Sequence, residues 1–270
     1  MYIRHQPLFS FETLQEYQPK TRLGLLFETL DLHPCLKELP AKSIRGPKGY
    51  CGYAMLRALV AKQLFQIPTF TLLVERLAQD LSFAYDCGFR IGDSRPSVAT
   101  FSRFYQRLSQ IGALEKLSES IVTEAMEQCI VQADVVAIDA SQINAYEKAR
   151  PKKQLADDGG SANWGAKRDT HGNQIAWFGY KLHLAIDARS ELPLSLTVTP
   201  AHRHDSTQAI PLMEQLPVKP QAYCLDMGYD VKSIYEYAHS QGAKAIVPLN
   251  RRGEIEPPAG FDANRTPVCS

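Results

Sequence analysis

The chain has 270 residues, 44% hydrophobic and 22% charged, a composition that excludes a disordered protein and suits one large domain or two ordinary ones. A net charge of +1 identifies no polyanionic partner by itself, although residues 1–120 carry 15 Lys and Arg against 11 Asp and Glu, a surplus of 4. The six cysteines form no C-x-x-C pair and no apolar run nears the ~18–20 residues of a membrane span, so a soluble, cytoplasmic protein with reduced thiols is expected, without zinc, disulfides or a membrane partner.

Residues 1–46 mix polar and apolar positions around Pro7, Pro19, Pro34 and Pro40, with one helix expected between Thr21 and Leu32. Residues 47–128 read as all-helical. Leu56, Leu59, Val60 and Leu64 recur at helical spacing, and Ile67-Pro68-Thr69 closes that helix and opens another with Thr69 as N-cap. Phe70 to Gln79 places Leu73, Val74 and Leu77 on one side, and a further helix starts near Ser97 and carries Phe101, Phe104, Tyr105 and Leu108. Short helices joined by tight turns have helix-turn-helix character. Arg103 and Arg107 lie one turn apart, which leaves two readings open: a solvated face, or a stripe that contacts phosphates.

From Val131 the pattern changes to strands. Val135 to Ser141 is an apolar, β-branched run that delivers Asp139 at its end. A polar stretch from Asn144 to Gln174 follows and holds Lys148, Arg150, Lys152, Lys153, Lys167 and Arg168; a solvated loop and a DNA contact are both open readings. Phe178 to Asp187 and Pro193 to Thr199 read as a hairpin, with Asp187 in its turn. Thr207 to Leu216 reads as a helix capped by Asp205 or Ser206. Ala222 to Tyr229 repeats the strand-then-carboxylate design with Asp226, and Lys232 to Gln241 is a helix ended by Gly242. Lys244 to Pro248 is the fifth and last strand.

A carboxylate closing a buried strand serves packing poorly, because an unpaired buried charge is costly. Taken singly, Asp139 and Asp226 can each be a turn or cap residue. On neighbouring strands they would form a cluster of oxygen ligands for a hard divalent cation. The order β-β-β-α-β-α-β allows the first and fourth strands to lie side by side at the centre of a mixed sheet.

The strand order, both aspartate strands, Gly179-Tyr180-Lys181-Leu182-His183 and His204-Asp205-Ser206 resemble the DDE transposases of bacterial insertion sequences. Gly49 to about Gly112 resembles the helical N-terminal domain that precedes the catalytic domain in one large transposase group. The resemblance covers roughly residues 45–250. It implies an α/β fold: a helical, DNA-binding N-terminal domain over 1–125, then an incomplete ribonuclease H-like mixed sheet over 126–270. It also implies two-metal catalysis with Mg²⁺ (Mn²⁺ possible) and double-stranded DNA bearing terminal inverted repeats as partner, with a homodimer of the full-length protein. Asp139 and Asp226 match the first two acids of the family's triad. DNA binding is expected at Arg103, Arg107, Lys148, Arg150, Lys152 and Lys153.

The third acid of that family is a glutamate on a helix beyond the last strand read here. Glu254 and Glu256 stand in a Pro/Gly-rich stretch, so neither is assigned the role. The expectation is a chain truncated before the third acid, with cleavage severely reduced or absent. A DNA-binding protein without catalysis and a stand-alone nuclease of the same fold remain as alternatives.

Overall fold

The computed structural model describes residues 9–37, 39, 49–151, 160–168, 173–250 and 260. Contacts divide the chain into two compact units, residues 1–120 and 121–270.

The first unit is helical. Its elements are α1 (Phe11–Glu16), α2 (Arg22–Thr29), α3 (His33–Lys37), α4 (Gly52–Leu64), α5 (Phe70–Gln79), α6 (Leu81–Asp86) and α7 (Val98–Gln110). Short hydroxyl or carboxylate side chains start several of them. Thr21 accepts from Gly24 N, Thr69 from Leu72 N, Asp80 from Phe83 N and Ser97 from Thr100 N, each satisfying an amide the helix leaves without a partner. The apolar stripes meet in a core that includes Leu23, Leu56, Leu73, Leu77, Phe101 and Leu108, all at most 1% exposed. Each fully buried leucine contributes about 1.5–3 kcal/mol relative to an exposed one. Arg95 pins the approach to α7, donating from Nε to the Leu77 carbonyl at 3.1 Å and from Nη1 to the Arg90 carbonyl at 2.9 Å. Helix α8 (Ala113–Glu127) follows, and Val122 on its second half belongs to the core of the second unit.

The second unit is a six-stranded mixed sheet: β1 (Val135–Asn144), β2 (Asn163–Arg168), β3 (Gln174–Asp187), β4 (Pro193–Pro200), β5 (Ala222–Leu225) and β6 (Lys244–Ile246). The order is β2-β3-β1-β5-β6, and β4 also pairs with β3. Strands β1, β3 and β4 pair antiparallel, whereas β1–β5 and β5–β6 are parallel. Helices α9 (Ser206–Glu214) and α10 (Lys232–Ser240) make the two connections to β5 and β6. The inward positions Val136, Ile138, Tyr223 and Leu225 pack with Leu212, Met213, Ile234 and Ala238 of these helices. This is the α/β, ribonuclease H-like arrangement the sequence led us to expect.

Two details differ from the sequence reading. Among the described residues there are six strands rather than five, because Asn163–Arg168 inside the polar stretch pairs with Gln174–Gly179 of β3. Gly179 makes this junction possible: it pairs with both Asn144 and Asn163, and a Cβ there would lie 2.0 Å from the Ile143 carbonyl oxygen. Asp205 stands at the N-cap of α9 but makes no capping bond, because its carboxylate is turned to Lys181 instead. The glycine expected to end α10 does so, with Gly242 at φ +75°. No helix among the described residues is long and apolar enough to cross a membrane.

Candidate active site

Strand β1 carries Val136 and Ile138 into the core and then reaches solvent at Asp139. Strand β5 does the same with Tyr223 and Leu225 before Asp226. The two strands are hydrogen-bonded neighbours in parallel register, with Ile138 opposite Leu225. Asp139 and Asp226 therefore follow at the same level on adjacent strands, which lie about 4.8 Å apart in any sheet.

Backbone amides fix both carboxylates. Asp139 Oδ1 accepts from Ala140 N at 2.7 Å, and Asp226 Oδ1 accepts from Gly228 N at 2.8 Å. Asp226 thereby caps the single 3₁₀ turn Met227–Tyr229. That turn is braced from outside: Asn250 Nδ2 donates to the Met227 carbonyl, and Asp230 accepts from Tyr235 Oη at 3.0 Å and Asn250 N at 2.9 Å. Burial, together with the negative charges of Asp139 and Asp205, pushes the Asp226 carboxyl above the usual carboxylate range, against the pull of the Gly228 and Tyr229 amides.

Behind the pair lies a layer the sequence did not reveal. Lys181 on β3 donates from Nζ to Asp205 Oδ1 at 2.7 Å and to the Arg203 carbonyl at 2.9 Å. His183, two positions along the same strand, is fully buried, and its Nε2 lies 2.8 Å from Thr199 Oγ1. Burial lowers its pKa, the Lys181 charge adds to this and Asp205 opposes it. Tyr229 is 1% exposed, and its Oη has no partner among the described residues. Burial first, then the charges of Asp205, Asp139 and Asp226, drive its phenol far above the ordinary range, so it keeps its proton. Tyr229 was legible in one respect only: it stands three residues after Asp226, the separation a 3₁₀ turn stacks. Nothing in the sequence joins Lys181 to Asp205.

The aspartate pair suits a hard divalent cation. Its donors are carboxylate oxygens, and among the described residues only backbone amides bond to them. Among the described residues no cluster of three or more His, Cys, Asp or Glu side chains is placed to hold a metal. Glu254 and Glu256 lie outside the described residues.

The basic residues fall in separate places. Arg103 and Arg107 are both exposed on α7, and Arg103 Nε donates to the Ala99 carbonyl at 3.2 Å. Lys148 is exposed after β1, and Arg150 forms an exposed ion pair with Glu147 at 2.6 Å. Lys152 and Lys153 lie outside the described residues. His204 is tied to its own turn, with Nδ1 2.7 Å from Ser206 Oγ.

Two family models match the chain. That of the transposase DDE domain matches residues 131–264, and that of the transposase domain DUF772 matches residues 12–107. No curated protein matches it.

Proposed function

Since the chain belongs to the DDE-type transposases of insertion sequences, we propose that Asp139 and Asp226 hold divalent cations at a site that cuts and joins the phosphodiesters of the element's ends. The observation that carries this reading is the parallel register of β1 and β5, which sets the two carboxylates side by side at the mouth of the sheet. Mg²⁺ or Mn²⁺ bound there would supply Lewis acidity to the attacking and leaving oxygens of an in-line displacement.

The residues themselves supply position and charge. Asp139 stands midway along β1 and Asp226 directly follows β5, each after a buried residue, and a backbone amide orients each carboxylate, which is the rigidity such chemistry needs. Burial first, and then repulsion from Asp139 and Asp205, raises Asp226, and a bound cation would relieve the repulsive part. Exposed Arg103 and Arg107 of the helical unit, with Lys148, Arg150, Lys152 and Lys153 of the other, would contact the phosphates of the terminal inverted repeats.

A DNA-binding protein without cleavage is the second reading, favoured by one observation: among the described residues no group of three or more His, Cys, Asp or Glu side chains could hold a metal ion. A gel-shift and nicking assay with the full chain, Mg²⁺ and DNA carrying the element's end separates the two. Metal-dependent nicking that vanishes in Asp226→Ala supports the first. Salt-sensitive binding without nicking supports the second. Absence of binding at low salt would sink both.

A further inference from the structure

Tyr229 has a hydroxyl that packing does not need. Its ring sits in the core with Ile138, Leu225 and Ile234, where a phenylalanine would fill the same space. Burying a hydroxyl without a partner is costly, so the group calls for a use beyond packing. The charges that act on it are all carboxylates, from the start of α9 (Asp205), the middle of β1 (Asp139) and the end of β5 (Asp226). Its own backbone is fixed by the bond from Tyr229 N to the Asp226 carbonyl at 3.1 Å. The phenol is thus a buried hydroxyl with no acceptor among the described residues, on a turn that packs against α9.

Asp205 is the acceptor with a prepared place. Lys181 already holds its Oδ1 at 2.7 Å, and the Lys181 side chain is only 13% exposed. Asp205 also acts on Asp226 through its charge. We propose that Tyr229 is a positioning residue of the cation site: its Oη donates to Asp205 when Asp139 and Asp226 take up a divalent cation, and the Lys181–Asp205–Tyr229 group sets how tightly that cation is held. Carboxylates behind a metal site orient its ligands and strengthen binding in this way. The inference rests on the proposed role of Asp139 and Asp226.

The test uses the full chain, Mn²⁺ alone as probe, titration calorimetry, and thermal melts with and without Mn²⁺. Y229F is expected to melt within about 2 °C of the parent without cation and to bind Mn²⁺ about tenfold more weakly. In an Asp205→Asn background the same change should have no further effect on Mn²⁺ affinity, because the two residues act as one unit. If the parent shows no Mn²⁺ binding that D139A removes, the reading of the aspartate pair itself fails. If such binding exists and Y229F leaves it unchanged, the inference about Tyr229 alone is overturned. It is also overturned if Y229F melts far below the parent, since the hydroxyl would then be holding the fold rather than the cation site.

Discussion

Asp226 shows how a single residue trades stability for readiness. Its carboxyl is raised in the folded state, chiefly by burial and further by Asp139 and Asp205. A raised carboxyl favours folding while protonated, and that advantage is lost as pH rises through its folded value. Above that folded value the fold carries an ionised Asp226 at a cost. Asp226→Asn, which keeps an oxygen for the Gly228 amide, should raise the melting temperature at pH 7 without divalent cation. The gain over the parent should shrink as pH falls below the carboxylate range. A variant that melts lower than the parent at pH 7 would show that the charge is compensated. Asp139 and Asp226 were legible because a charged residue closing an apolar run contradicts burial, and the contradiction is local. Lys181, Asp205 and Tyr229 were not, because each is an ordinary residue whose role appears only when β3, α9 and the turn after β5 come together.

At the scale of elements, the β3–β4 hairpin depends on a turn that its own side chain closes. Asp187, 1% exposed, accepts at Oδ2 from Ser190 Oγ at 2.6 Å and from Ser190 N at 3.1 Å. Burial raises its carboxyl, but the bonds from Ser190 and neighbouring amides outweigh this and leave the pKa lowered. A lowered carboxyl stabilises the fold above its unfolded value and stops doing so as pH falls through its folded one. Asp187→Ala should cost about 1.5–3 kcal/mol in urea unfolding at pH 7, with a smaller difference in acid. This hairpin was readable from Leu194, Leu196 and Val198 alternating along the chain. Strand β2 was not, because Asn163-Trp164-Gly165-Ala166-Lys167-Arg168 has no sustained apolar alternation. It is a strand because β3 extends back to Gln174 and offers it a ladder, a tertiary cause that composition does not carry.

At the scale of the molecule, the two units have separate cores that share no residue among those described. Arg103 and Arg107 belong to the first unit, and the aspartate pair to the second. Replacing both arginines by alanine should weaken DNA binding and flatten the dependence of log affinity on log salt by about 1.8, the value for two lost phosphate contacts. Mn²⁺ binding at the aspartate pair should not change, because sites without shared partners act additively. An unchanged salt slope would return the arginine face to simple solvation.

The pairing of β1 with β5 also fixes when, in the life of the molecule, the acid pair comes into being. Val135 meets Ala222, a partner 87 positions later in the chain. Closing so long a loop is entropically slow, and it waits for the antiparallel hairpins between to collapse first. On a ribosome adding ~5–20 residues per second, the second aspartate is made roughly 4–17 s after the first. A nascent chain still tethered to its ribosome thus carries Asp139 without its mate, and the proposed cation site can form only once β5 has been released and docked.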